Sequence, residues 1–359
     1  MGTLKANEEL THAEILSIKG VDGPESLAFH RPTNSVFTGS RTGYIIKIHI
    51  DELNTTKVAQ GFKLLKTKNI VSCDGSYHTF SVCGRPLGIR FHPQDANLMI
   101  VADAYHGIFG VQLETAQIKR ILKPGTKVIN DVSGNRPVLH FNDFDISRSG
   151  RYIVFTEPSN RFPDRDFLYA MMEHNPDGRL LWFDTQDKIL RVIVDKLYYP
   201  NGVELDDTGR CVYFSEMGNL RILKHCFYYE RYKFTVVASN LPGYPDNIRK
   251  SKSGMLWVPL GRTRLKDDSW ITERPALRNF IASLYLPFTV DYLLDFILPK
   301  YGLLLLIDPK NGTIVRSFHD PNGSTIYSIS HALELDDGSV VLGSDVNSYL
   351  VRFRPSKLP

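Results

Sequence analysis

The stretch "PNGVELDDTGRCVYFSEMGNLRILK", residues 200–224, decides the fold. It opens on Pro-Asn-Gly, runs through the alternating segment "VEL", turns at "DDTG" and resumes as "CVYFSE". Period-2 alternation bounded by Gly, Asn and Asp turns is the pattern of a β-hairpin. Val, Tyr and Phe at these positions fit a pleated, half-buried surface.

The same punctuation returns along the chain. Other copies begin at Gly23 ("GPESLAFHRPTNSVFTGSRTGYIIKI"), Gly84 ("GRPLGIRFHPQDANLMIVADAYHGIFGV") and Phe141 ("FNDFDISRSGRYIVFTEP"). Two more begin at Tyr244 ("YPDNIRKSKSGMLWVPL") and Tyr327 ("YSISHALELDDGSVVLGSDVNSYLVRF"), making six in all. Most spacings are about 40–60 residues, the size of a four-stranded propeller blade. The sequence therefore predicts an all-β chain, a single six-bladed β-propeller over residues 1–359. Within the N-terminal segment 1–20, "AEILSIKG" is expected to supply a strand that completes the last blade and closes the ring. A two-sheet sandwich is the alternative, but it gives no reason for six similarly punctuated units.

The fifth unit is interrupted over residues 262–300. Between Pro275 and Pro299 the apolar residues fall at helical spacing, and Pro287 divides them into two short helices. Three readings of this helical insertion stay open: a packed cap, a lid over a pocket, or a surface that touches membrane.

The 359 residues are 42% apolar and 23% charged, within the range of soluble globular proteins. A formal charge of +4 with no Lys/Arg run excludes nucleic acid as the expected partner. No run of about 18 apolar residues is present to span a membrane. Cys73 and Cys83 enclose the short loop "CDGSYHTFSVC", suited to a local disulfide, whereas Cys211 and Cys226 flank a hairpin as thiols or a second bridge. Neither pair has metal-ligand spacing. With sequons at Asn54, Asn311 and Asn322, the cysteine loop points to an oxidising, extracellular or luminal compartment.

In a propeller the innermost strands start near the central tunnel, so residues far apart in sequence meet there. At those entrances the chain carries Glu25, Asn142, Asn201 and the pair Asp246–Asn247. Singly, each reads as a turn residue or loop acid. Together they offer hard oxygen donors from several segments, the ligand chemistry of calcium rather than zinc or copper. His106, in "VADAYHGIFGV", and His331, in "SISHALEL", are the acid–base candidates near the same rim.

The motifs "GPESLAF", "CGRPLGIRF", "VADAYHGIF", "NDFDISRSGRYIVFTE", "DGRLLWFD", "YPNGVEL", "LPGYPDNIR" and "FHDPNG" resemble the strictosidine synthase-like family, in its animal branch. The likeness runs in order from about Gly23 to the C-terminus. It implies a six-bladed propeller similar to paraoxonases, gluconolactonases and diisopropyl fluorophosphatase. In that wider group a buried calcium is held by Glu, Asn and Asp residues, which carry over onto Glu25, Asn142, Asn201 and Asp246, with Asn247 adjacent. The acid that strictosidine synthesis needs is replaced here by Ser330 or His331, which argues against that reaction. The paraoxonase histidine compares loosely with His106. Animal members are typically held by one N-terminal transmembrane helix, so the resemblance implies an ectodomain that begins just beyond such an anchor.

Two functions follow as expectations. One is a calcium-dependent hydrolase of small aryl esters or lactones. The other is a non-enzymatic adhesion or receptor ectodomain with a structural calcium and a protein or glycan partner.

Overall fold

A computed structural model of the chain describes residues 4–50, 60–65, 72–129, 134, 136–228, 233–264, 273–284 and 300–356. The strands form six separate antiparallel sheets, five of four strands and one of five. The innermost strands are Leu27–His30, Pro86–His92, Phe144–Ile146, Pro200–Leu205, the split pair Gly243–Pro245 and Arg249–Lys250, and Ile329–Glu334. Each packs on the next, and the sixth packs on the first, so the sheets close into a six-bladed ring. The closing strand is Glu14–Leu16, which pairs with Leu350–Phe353 in the register Glu14↔Arg352 and Leu16↔Leu350. The last blade is thus built from both ends of the described chain, with Glu14–Leu16 as its outermost strand.

The core is divided among the six seams between blades. Ala28, Phe37 and Ile45 of the first blade meet Ile89, Val101 and Phe109 of the second. Ile100 and Ile108 of the second meet Phe144 and Phe155 of the third. Equivalent clusters fill the remaining four seams. The strands named for their half-buried pattern are therefore buried more fully than the alternation implies. In Cys211–Glu216 every residue is buried. Val212 and Phe214 face the seam with the third blade, while Tyr213 faces the seam with the fifth. A blade between two neighbours buries both faces, so alternation there records which neighbour a side chain meets.

The disulfide Cys73–Cys83 forms, and Cys211–Cys226 is also bridged because the two residues are directly opposed in the hairpin register. Asn311 and Asn322 are exposed in turns, whereas Asn54 lies outside the described residues. In the fifth blade the strand Leu256–Thr263 pairs with Gly243–Pro245 to its end, so the insertion begins after Thr263 rather than at residue 262. Among the described residues three α-helices stand outside the blades: α1 (Phe80–Cys83), α2 (Phe167–Glu173) and α3 (Pro275–Leu284). Helix α3 is the first of the two expected in the insertion, opening on Pro275 as helices tolerate at their first turn. The expected second helix lies outside the described residues.

Phe214→Ala should cost about 3–5 kcal/mol, the usual loss for a phenylalanine truncated in a packed core. Val236→Ala, on an exposed outer strand, should stay within about 0.5 kcal/mol. Urea unfolding of the two variants checks the difference.

Candidate metal centre

Close backbone approach comes first. A Cβ on Gly202 would lie 2.3 Å from the Ile248 nitrogen and 2.4 Å from the Asp246 carbonyl, so only glycine lets the fourth and fifth blades touch here. Gly23, at φ +55°, turns the chain into Pro24–Glu25 where a side chain would strike Arg41 and the Asp345 carbonyl. These approaches bring blade entrances together around the axis.

Hydrogen bonds then fix the side chains. Asn247 donates from Nδ2 to Glu25 Oε1 at 2.6 Å, and its backbone N–H donates to the Ser330 carbonyl at 3.1 Å. Ser330 Oγ donates to the Glu25 carbonyl at 2.7 Å. The Asn201 side chain hydrogen-bonds the Asp246 carboxylate. Ser215 Oγ donates to the Asp246 carbonyl at 3.0 Å, and Thr156 Oγ1 donates to the Asn201 carbonyl at 2.5 Å. Asn142 joins through its N–H, which donates to the Thr156 carbonyl at 3.2 Å.

Each of these bonds leaves one oxygen over. Among the described residues, seven buried side-chain oxygens lack a hydrogen-bond partner. Five of them are Glu25 Oε2, Asn142 Oδ1, Asn201 Oδ1, Asp246 Oδ1 and Asn247 Oδ1. A buried acceptor without a donor is costly, and native proteins rarely leave one. The amide nitrogens of Asn201 and Asn247 are occupied by carboxylates, which leaves their oxygens as the free ends. Burial pushes the Glu25 carboxyl up, and repulsion from Asp246 adds to it. Burial likewise pushes Asp246 up, aided by Asp345 and Asp143. Two carboxylates and three amide oxygens fit a divalent hard cation, which takes six to eight oxygens and would keep positions for water or ligand. No group of three or more His, Cys, Asp or Glu that could hold a metal occurs among the described residues, so the donor set here rests on amide oxygens as much as on carboxylates.

Below this cluster the axis is filled by ion pairs. Arg249 grips Asp143 with Nη1 to Oδ2 at 2.6 Å and Nη2 to Oδ1 at 2.8 Å. Arg90 donates from Nη2 to Glu204 Oε2 at 2.9 Å and lies 3.3 Å from Asp145 Oδ1. Asp143 follows Asn142 and Arg249 lies two residues after Asn247, so one bidentate pair ties two donor-bearing turns together. His331 is buried beside Ser26, Nδ1 to Oγ at 3.4 Å, with Nε2 unpartnered. Burial holds it well below the usual histidine range, and Arg249 and Arg90 push the same way.

His106 sits at the rim instead. Its Nδ1 lies 3.2 Å from Asp103 Oδ1, and the pair packs on Gly84, whose φ of +87° leaves no room for a side chain there. No hydrogen bond joins it to the five-oxygen cluster among the described residues. Two mouth residues were absent from the sequence reading. His140, two residues before Asn142, is buried with no well-formed hydrogen bond to its ring. Its Nε2 lies 4.0 Å from Asp164 Oδ1, and burial lowers it to about 4 against the pull of the Phe162 backbone. Arg85, just ahead of the second innermost strand, is also buried. The signal for it was its place, because it fills in the second copy the entrance that Glu25 fills in the first.

Helix α3 packs on α2, with Arg278 Nε donating to the Met172 carbonyl at 2.9 Å. Because α2 follows directly on Asp164–Asp166, α3 stands on the same side as the mouth.

Arg249→Met should cost about 3–5 kcal/mol by stranding the buried Asp143 carboxylate. The double variant Asp143→Asn/Arg249→Met should lose clearly less than the sum of the single changes in urea unfolding.

A family profile described as "Strictosidine synthase" matches residues 142–230, and one described as "Strictosidine synthase-like, N-terminal" matches residues 2–48. Adipocyte plasma membrane-associated protein of Bos taurus is 35% identical over 99% of this chain and 81% of its own length. The Drosophila melanogaster protein named hemomucin is 30% identical over 99% of this chain and 63% of its own length. Among solved structures, a Xanthomonas campestris gluconolactonase superposes with TM-score 0.58 at 13% identity, covering 97% of this chain and 92% of its own. A calcium-binding protein, regucalcin, from Agrobacterium tumefaciens gives 0.58 at 8% identity, with 95% and 92% covered. These structures share the propeller fold. On sequence, the chain belongs to the strictosidine synthase-like family, in the branch of adipocyte plasma membrane-associated proteins and hemomucin.

Proposed function

We propose that this propeller is a calcium-dependent hydrolase of small esters or lactones, with Glu25, Asn142, Asn201, Asp246 and Asn247 as the ion's protein ligands. The observation that carries the reading is the set of five buried oxygens, one on each of these residues, without hydrogen-bond donors. Likeness of fold to a gluconolactonase and to a calcium-binding regucalcin supports the same assignment. Calcium bound there would supply Lewis-acid polarisation of a carbonyl oxygen in the coordination positions that the protein leaves open. His106 takes the proton of the attacking water at Nε2 while Asp103 holds Nδ1, the usual division of labour for an oriented imidazole. The water oxygen bonds to the carbonyl carbon, the ester C–O bond breaks, and the proton passes to the departing alcohol oxygen. His331, neutral and enclosed among Ser26, Arg249 and Arg90, shapes the floor rather than exchanging protons with solvent. Two disulfides and membrane-associated relatives support an extracellular or luminal ectodomain of a single-pass protein.

The second reading is a cell-surface binding platform with a purely structural ion and a protein or glycan partner. The observation favouring it is the apolar face of α3, where Phe280 is 61% and Leu284 67% exposed, a surface suited to membrane or protein contact.

Phenyl acetate and lactone hydrolysis by the full chain, with calcium and after chelation, tests the first reading. The expected outcome is turnover that is lost on chelation and in Asp246→Ala while the far-ultraviolet spectrum persists. Calcium at about 100 times its Kd should also stabilise the fold by about 2.7 kcal/mol. That stabilisation without turnover in either condition favours the binding platform.

A further inference from the structure

The ring of blade entrances has one member of the wrong charge for a cation site. Where the first, third, fourth and fifth blades bring oxygen donors, the second brings Arg85, one residue before its innermost strand. Its side chain is buried, the residue being 4% exposed. One hydrogen bond is formed, from Nη1 to the Gly23 carbonyl at 3.0 Å, two residues before Glu25. A guanidinium carries five N–H donors, so most of this one's capacity is unspent. No carboxylate among the described residues forms a salt bridge with it; the acids that act on it from further off are Asp164, Glu25 and Asp345.

Asp164 is in the complementary position. Its Oδ1 lies 4.0 Å from Nε2 of the His140 ring. Burial pushes its carboxyl up to about 6 although Arg85 and Arg41 pull it down. Arg85 is buried and Asp164 half-buried, its side chain 20% exposed, and no salt bridge joins them. A buried guanidinium is normally paired, because leaving it unpaired costs several kcal/mol of hydration. Arg85 Nε and Nη2, which make no hydrogen bond to the described residues, are therefore open to the acceptors of a ligand. Arg41, stacked over Phe80 with its guanidinium 5.6 Å from the ring centre, adds positive potential on the same side.

We propose that Arg85 is an anion anchor at the mouth of the ring and holds a carboxylate of the bound ligand beside the five-oxygen cluster. The planar fork of arginine matches a carboxylate in two parallel hydrogen bonds. The ligand class is therefore a small carboxylic acid, or an ester or lactone that carries or releases one. The placement of this carboxylate beside an ion rests on the hydrolase reading, but the anchor itself does not require turnover. Two sources supply the same group: a carboxylate that the substrate already bears, or the one that hydrolysis sets free.

Titration calorimetry of the calcium-loaded full chain with benzoate, and with uncharged benzamide as control, tests the anchor. Wild type should bind benzoate, and Arg85→Met should weaken it about tenfold or more, the scale of lost charge-assisted hydrogen bonds. Benzamide should bind weakly and equally to both. Arg85→Lys, which keeps the charge without the fork, should fall between them and serves if the methionine variant fails to fold. Calcium affinity measured in parallel separates loss of the anchor from loss of the ion. Equal benzoate binding by wild type and variant, or none by wild type, overturns the proposal. The source is read from kinetics on a neutral aryl ester and on one with a carboxylate on its acyl chain. A substrate-borne carboxylate predicts that Arg85→Met lowers kcat/KM for the acidic ester alone; a released one predicts relief of product inhibition with both esters. Absence of turnover together with Arg85-dependent benzoate binding removes the hydrolase reading and leaves the anchor standing.

Discussion

Two carboxylates that repel each other, Glu25 and Asp246, are buried together at the axis of the ring. Glu25 is only 4% and Asp246 7% exposed, so little water softens the repulsion, and burial itself opposes their charge. The Asn247 amide pins one and the Asn201 amide pins the other, so neither can swing away. The surrounding fold serves this constraint. Six apolar seams set the radius at which the entrances meet, and the strand Glu14–Leu16 closes the ring that keeps them there.

Charge is sorted by depth along the axis. At the level of the five oxygens, negative and neutral donors face inward, and among the described residues no cation forms a salt bridge with them. One layer below, Arg249 and Arg90 neutralise Asp143, Asp145 and Glu204 in well-formed pairs. Breaking such a pair strands a buried charge, so this layer acts as a rigid floor. At the mouth the pairing is incomplete again, with Arg85, Asp164 and His140 each short of a partner. The two incompletely paired layers are adjacent, with Arg85 hydrogen-bonded to the Gly23 carbonyl two residues before Glu25.

Much of this was legible in the sequence. The repeated punctuation gave the blade count, and the closing strand could be read from "AEILSIKG". Glu25, Asn142, Asn201 and Asp246–Asn247 stood out because each follows the same break before an innermost strand. Other features depend on register or packing. Cys211 and Cys226 are bridged because the hairpin sets them opposite each other, which spacing alone does not state. Alternation in "CVYFSE" could not reveal that both faces are buried. His140 looks like an ordinary histidine beside Phe141 until its ring is found enclosed. Arg85 carries the opposite sign from its counterparts, so a search for oxygen donors passes over it. Arg249 reads as a strand-start arginine until Asp143 is seen in its grip.

The most direct measurement is anomalous diffraction from crystals of the full chain grown in calcium or a lanthanide substitute. The account predicts one peak on the axis, with Glu25, Asn142, Asn201, Asp246 and Asn247 oxygens about 2.3–2.6 Å from a calcium ion. A cluster free of any ion at saturating metal, or a peak elsewhere in the ring, would contradict it.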